Sequence, residues 1–414
     1  MGERTFVNQA YARPKAVQQG RPKIDWILVG VVLGLTLFGL LMVYSAGTKF
    51  AMASNQTPDH FLRRQVMWAV VGLGAAIGLS IFPYQYFRRL TVLMMIGTIL
   101  LLVLTALIAD RTLGANRSLV SGSIRPSELA KLVAIIYVAV WLNARRETLN
   151  DLFMGLLPLM VILGINAMLI MSQPDLSAAI TVILMGGILF FLAGGALRQI
   201  ISTMAIASVV GYVGIFFYGT GYQRVKDYLL GLNNPMEASY HVKRSLEAII
   251  NGGVFGVGIG HGSTKFTGLP VAPTDSIFAV IAEEVGLLGS GLVILAFIVL
   301  LWRGLKIAEK APDMLGSLLA SGIAIWIFLE AMINMAVMVS LLPQAGNALP
   351  FFSYGGSNLT VTLAGIGILI NVARQSSTAK TAEGGNPFGA VVDLRWRDRR
   401  RGVSRAGRTS GARQ

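Results

Sequence analysis

The residue of this sequence best placed to do chemistry is an aspartate at the edge of an apolar run. Asp275 follows Thr274 and precedes Ser276-Ile277-Phe278-Ala279-Val280. A carboxylate at such an edge is partly desolvated, which raises its proton affinity, while nearby Lys or Arg lowers it. A group held between those effects can act as a general base. The same position suits a helix N-cap, in which Thr or Asp satisfies free backbone N–H groups. Glu283 and Glu284 lie too far on to complete a capping box. They sit within the same apolar run, where ionisable groups are costly and face a protein interior or cavity. A structural ion pair is expected there, with Lys131 as the candidate partner.

Other stretches carry polar chemistry between apolar runs. Gln173-Pro174-Asp175 reads as a tight turn in which proline keeps two spans from fusing; direct contact of Asp175 with substrate or a cation is the sharper alternative. Arg117 precedes Pro126-Ser127-Glu128. Arg224, Lys226, Lys243, Arg244 and Lys265 gather positive charge in one segment, as solvated surface or as a site for an anion such as a diphosphate. The run Gly252 to Gly262 invites a nucleotide-loop reading, which fails: the spacing is wrong and no Walker Lys-Ser pair follows. Glycines at this density permit tight turns and close backbone approach. In Pro350-Phe351-Phe352-Ser353-Tyr354-Gly355-Gly356-Ser357, the Gly pair and Ser suit backbone lining a cavity at membrane depth. An aromatic belt at the membrane interface is the alternative for the Phe and Tyr residues.

The elements that must position these residues are membrane spans. The chain has 414 residues, 54% hydrophobic and only 13% charged, against about 25% charged in a soluble domain. There is no cysteine, so disulfides and thiolate chemistry are excluded, and three scattered His make a His-rich metal site unexpected. Ten spans are expected, near 26–46, 66–83, 90–109, 129–143, 152–171, 177–195, 200–218, 276–302, 315–340 and 357–373. The first is too long for a signal-peptide core and is read as retained. The fold expected is thus an all-α polytopic membrane protein with a large extracytoplasmic loop, 219–275, between spans 7 and 8.

Charge orients this bundle. Residues 1–24 hold five Lys/Arg against one Glu, and residues 374–414 hold ten against three Asp/Glu, so the ends carry eleven of the fifteen net positive charges. Both ends read as disordered, basic and cytoplasmic, flanking a transmembrane domain over 25–373; attraction to anionic lipid explains them better than nucleic acid. Arg88-Arg89, Arg145-Arg146, Arg198 and Arg303/Lys306/Lys310 fall on that same side. The motifs around Asp275 then meet outside.

These residues are specific enough to resemble a family. From about Asp25 to Arg374 the chain is similar to the SEDS proteins, polytopic peptidoglycan glycosyltransferases of shape, elongation, division and sporulation. The matching motifs include Met42-Val-Tyr-Ser-Ala46, Pro126-Ser-Glu-Leu-Ala-Lys131, Gln173-Pro-Asp-Leu176, Gly256-Val-Gly258 with Lys265, Thr274-Asp275, Ile277 through Glu284, and Leu349 through Ser357. The first-span and loop motifs look closer to the division members. The resemblance implies polymerisation of lipid II, with the growing glycan on undecaprenyl diphosphate as donor and Asp275 as base. It implies positive charge at the leaving diphosphate, from Arg117, Arg244, Lys265, Lys131 or a divalent cation (Mg or Mn). Asp175, Thr274 and Ser353 through Ser357 are the other substrate-binding candidates, with Glu128, Glu283 and Glu284 in ion pairs. It further implies a class B penicillin-binding protein as partner, within the division or elongation machinery.

The chain departs from the family pattern at Ser118, Arg125, Val271, Ser276 and Asn347-Ala348. A lipid II flippase and a non-catalytic scaffold are the competing functions; a flippase demands ionisable groups along a path through the midplane.

Overall fold

The computed structural model describes residues 24–108, 125–149, 151–173, 175–217, 219–234 and 237–378. Both basic ends and Arg117 lie outside the described residues. Among those described there are thirteen α-helices and no strand. In chain order they are α1 (Trp26–Ala53), α2 (His60–Ile81), α3 (Phe87–Ile108), α4 (Pro126–Ala144), α5 (Leu157–Met171), α6 (Leu176–Leu192), α7 (Leu197–Phe217), α8 (Gly219–Asn233), α9 (Tyr240–Gly252), α10 (Thr264–Thr267), α11 (Ile277–Glu309), α12 (Met314–Met338) and α13 (Gly356–Thr378). The chain is an all-α, multi-pass membrane protein. Eight helical segments are long and apolar enough to cross a bilayer, those of α1 to α5 and α11 to α13. The remaining two expected spans coincide with α6, apolar but only 17 residues long, and with α7.

The spans form an inner and an outer layer. The most apolar stretches of α4, α12 and α13 are each 72% buried, whereas those of α2, α3 and α11 are 22–28% buried. The inner helices carry buried Glu128, Lys131, Glu330 and Asn334, and the outer ones present Leu, Ile and Val outward; α11 does both, with Glu283 and Glu284 buried before its break.

Two ends close the bundle. At one, Arg303 Nε lies 3.0 Å from Asp25 Oδ2, and Asp313 accepts from Tyr84 Oη at 2.7 Å and Arg88 Nη2 at 3.1 Å. The two hydrogens of Asn371 Nδ2 are shared there among the carbonyls of Leu79, Ser80 and Phe82, at the end of α2. At the opposite end the connections before α4, α6, α11 and α13 meet.

The segment 219–275 is more structured than a loop. It holds α8, α9 and α10. In α9, Val242, Ser245, Ala248 and Gly252 are buried at helical spacing, which gives one packed face without the continuous apolarity of a span.

The glycine run is inserted into α11. Gly286 leaves the helical region (φ 69°, ψ −171°) and breaks the span expected to be continuous. In an unbroken helix the N–H groups of residues 287 and 288 would bond the carbonyls of residues 283 and 284. Here Leu287 N donates to Gly253 O and Leu288 N to Val254 O, while Val257 N and Gly258 N donate to the carbonyls of Glu283 and Glu284. The loop thus occupies the missing rungs, which answers the demand that backbone at membrane depth be satisfied. Its tip residues Val254 and Phe255 are exposed and extend the exposed apolar face of Leu287 and Leu288.

Candidate functional site

Asp275 is half-buried and stands just before the N-terminus of α11. It is not the cap: the N-cap is Ser276, whose side chain makes no capping bond. Instead Ser276 Oγ donates to Pro270 O at 2.7 Å and lies 2.6 Å from His241 Nε2 of α9. Because that hydroxyl has one hydrogen, the consistent assignment has the His241 Nε2–H donating to Ser276. Burial, with the charge of Arg224 as a smaller cause, lowers the His241 pKa to about 4. The ring is therefore neutral at physiological pH.

Three consecutive carbonyls are gripped from outside. Pro273 O accepts from Tyr354 N at 2.7 Å. Thr274 O accepts from Ser353 Oγ at 2.7 Å. Asp275 O accepts from Asn334 Nδ2 of α12 at 3.0 Å. The backbone carrying the carboxylate is thereby docked on the stretch 347–357 and on α12.

That stretch is itself held on every side. Ser353 Oγ accepts from Leu349 N at 2.7 Å. The Gln65 amide of α2 donates to Ser353 O and accepts from Gly355 N. Ser357 Oγ accepts from Arg125 N at 3.0 Å, joining the start of α13 to the start of α4. Gly356 packs on Trp68, where a Cβ would come within 2.4 Å of the indole. Tyr354 stacks edge-on against Phe61, and burial raises its phenol pKa, with Arg64 opposing. Phe351 and Phe352 are 1% and 0% exposed, so neither belongs to an interfacial aromatic belt.

Behind the loop lies a buried charge cluster. Lys131 Nζ is 2.9 Å from Glu128 Oε2 and also pairs with Glu330 of α12. Asn358 Nδ2 donates to Glu128 Oε2 at 3.0 Å. Asp175 caps α6 by accepting from Ala178 N at 3.3 Å, and it accepts from Ser127 Oγ at 3.1 Å. The turn reading of Asp175 thus has a definite geometry.

The expected pairing of Lys131 with Glu283 or Glu284 does not occur. Glu284 Oε1 pairs instead with Lys265 at 2.6 Å and accepts from Ser45 Oγ of α1 at 2.6 Å. Glu283 Oε1 accepts from Ser263 N, Thr264 N and Thr264 Oγ1, at 2.9, 3.0 and 2.7 Å. The reason is the break at Gly286, which brings the glycine run and its following residues against these carboxylates. Lys265, expected near a phosphate, is 1% exposed and enclosed by Glu284, Ser45 and Gly260 O. Arg244 lies over the Tyr240 ring and is tied to Glu247 and Thr267 O.

Sequence reasoning passed over Glu330, Asn334, His241 and Gln65, and it gave Ser45 and Asn347, although within noted motifs, no part in the site. Glu330 and Asn334 did leave a signal, as polar residues one turn apart in the apolar run of α12. Among the described residues no three His, Asp or Glu side chains converge into a metal site.

Comparison with known proteins matches residues 25–378 to the family model FtsW/RodA/SpoVE, described as cell cycle protein. A probable peptidoglycan glycosyltransferase FtsW of Trichlorobacter lovleyi is 36% identical over 353 residues, covering 84% of this chain and 93% of the relative. Stage V sporulation protein E of Bacillus subtilis is 35% identical over 357 residues, covering 85% and 97%. Among solved structures, a chain of one described as structural coordination of polymerization and crosslinking by a peptidoglycan synthase complex superposes with TM-score 0.69. It is 26% identical, over 85% of this chain and 98% of that one. Thermus thermophilus rod shape determining protein RodA gives TM-score 0.61 at 25% identity, over 85% and 97%.

Proposed function

The chain belongs to the FtsW/RodA/SpoVE family, and we propose that it is a peptidoglycan glycosyltransferase polymerising lipid II at the outer face of the bacterial cytoplasmic membrane, in septal wall synthesis. The observation that carries this reading is the grip on residues 273–275, which presents a half-buried carboxylate at the start of α11. Asp275 takes the proton of the acceptor sugar's 4-hydroxyl as that oxygen attacks the donor's anomeric carbon. The bond to undecaprenyl diphosphate breaks, the configuration inverts, and the diphosphate leaves with the bonding pair.

The leaving diphosphate needs positive charge. Lys131, Lys265 and Arg244 are already paired with carboxylates, so their part is to hold the frame. The N-termini of α4, α11 and α13 approach one another around 353–357, and such termini favour anions. Arg64 and Arg125 stand beside the same stretch and add full positive charge there, and Arg117 is the further candidate that the resemblance implies. A divalent cation, magnesium or manganese, would arrive with the diphosphate, since Mg²⁺ commonly keeps phosphate and water ligands.

The positive-inside distribution supports cytoplasmic termini and an extracytoplasmic Asp275. The neighbour named for coordinated polymerization and crosslinking supports a class B penicillin-binding protein as partner. The test is glycan polymerisation from lipid II by the purified chain with that partner, beside Asp275→Asn. Polymer from the native chain and none from a folded Asp275→Asn is expected. Polymer persisting in the variant removes Asp275 from the mechanism. No polymer from either, with partner and divalent cation present, shifts the weight to a flippase, for which the buried Lys131 cluster would be the transit site.

A further inference from the structure

Asp275 O is a carbonyl that its own helix does not use. In a continuing helix it would accept from Ala279 N, but Ala279 N donates to Ser276 O at 3.0 Å. Its bond comes from Asn334, a 1% exposed residue of α12. A side-chain amide has two hydrogens. Asn334 Nδ2 places one on Asp275 O at 3.0 Å and the other on Asn347 O at 2.6 Å. Asn347 Nδ2 returns to α12 by donating to Glu330 O at 3.1 Å. Asn347 is thus held from both sides by one helix, and Asp275 hangs from the same amide. Glu330 carries the ion pair with Lys131, so the series runs from a buried ammonium to the backbone of Asp275.

We propose that Asn334 is the positioning residue of this site: by bridging the carbonyls of Asp275 and Asn347, its amide fixes the backbone from which the base projects. The inference rests on the reading of Asp275 as base. A base must meet the proton it takes at hydrogen-bond distance, and a displacement of about 1 Å costs on the order of 100-fold in rate. Releasing Asp275 O lets its peptide rotate and carries the carboxylate off line. Asn347 stands at one of the chain's departures from the family pattern, and its side chain closes this series.

The experiment is steady-state polymerisation of lipid II by the full chain with its class B penicillin-binding protein. It compares Asn334→Ala, Asn334→Asp, which keeps the shape and loses donor hydrogens, and Asn334→Gln, which keeps the amide. Ala and Asp are expected to lower kcat about 10- to 100-fold, with KM for lipid II unchanged and a lower melting temperature in detergent, because two carbonyls lose their donor. Gln is expected to recover part of the loss. Unchanged kcat, or a lowered kcat accompanied by a raised KM for lipid II, overturns the proposal. Should Asn334→Ala not fold, Asn347→Ala tests the same series: it removes the tie to Glu330, keeps the carbonyl, and is expected to give a smaller loss confined to kcat. Asp275→Asn that still polymerises overturns the base reading and this proposal with it. An inactive Asp275→Asn beside a fully active Asn334→Asp overturns this proposal alone.

Discussion

Gly286 and Gly256 are in backbone contact: a Cβ built on Gly286 would stand 2.3 Å from Gly256 N, and one built on Gly256 would stand 2.3 Å from Glu284 O. Both residues have positive φ, 69° and 80°. The broken turn of α11 and the inserted loop therefore fit each other only without side chains at these two positions.

Gly286→Ala is expected to destabilise the protein by at least about 2 kcal/mol, since a close contact and an unfavourable φ are combined. Thermal unfolding in detergent measures this. Gly291→Ala is the control, because nothing lies within 4 Å of its added Cβ. Equal melting temperatures for the two variants would contradict the tight insertion.

Lys265→Met leaves Glu284 buried without its counter-charge, which costs about 3–5 kcal/mol. Adding Glu284→Gln removes the orphaned charge, so the double variant is expected to be more stable than Lys265→Met alone. A double variant as unstable as the single one would show that packing, not charge, holds the loop there.

The cluster around Lys131 holds one ammonium and two carboxylates. Glu330→Gln balances those charges and is expected to be tolerated. Lys131→Met leaves Glu128 and Glu330 without a cation and is expected to cost about 3–5 kcal/mol. Expression and melting temperature of the two variants should diverge in that order; the reverse order would show that Glu330 is the more needed charge.

His241 predicts a response to acid. Its folded pKa, about 4, lies below the ordinary 6.5, so the unfolded chain binds more protons between those values. Stability is complete above about pH 6.5 and falls as pH drops toward 4, by up to roughly 3 kcal/mol. His241→Gln can still donate to Ser276 and should flatten this dependence. Unfolding midpoints at pH 7.5 and 5 compare them; parallel losses in both proteins would place the acid sensitivity elsewhere.

Eight of the ten expected spans are helices long and apolar enough to cross a bilayer among the described residues, legible because each is a long apolar run, and the base candidate was legible because Asp275 stands at the edge of one. The convergence of 125–128, 173–175, 274–276 and 350–357 followed from counting spans and placing Arg and Lys. Partners across the bundle were not legible. Lys131 is as close in composition to Glu283 as to Glu330, and the choice between them depends on the helix break at Gly286, a single glycine among many. The ordered helices of 219–275 were hidden because α9 is amphipathic, with a periodicity weaker than that of a span. Asn334 gave only the bare signal of an amide in an apolar run, and its bond to Asp275 exists only once α12 and α11 are side by side.

The break also divides α11 into unequal parts. Residues 277–285 follow the base directly and are bonded to the inserted loop through the carbonyls of Glu283 and Glu284, while residues 287–309 run on across the bilayer. The inserted loop is bonded on both sides of the break, to Glu283 and Glu284 before it and to Leu287 and Leu288 beyond it, so it braces the two parts against each other and sets the bearing of the short one.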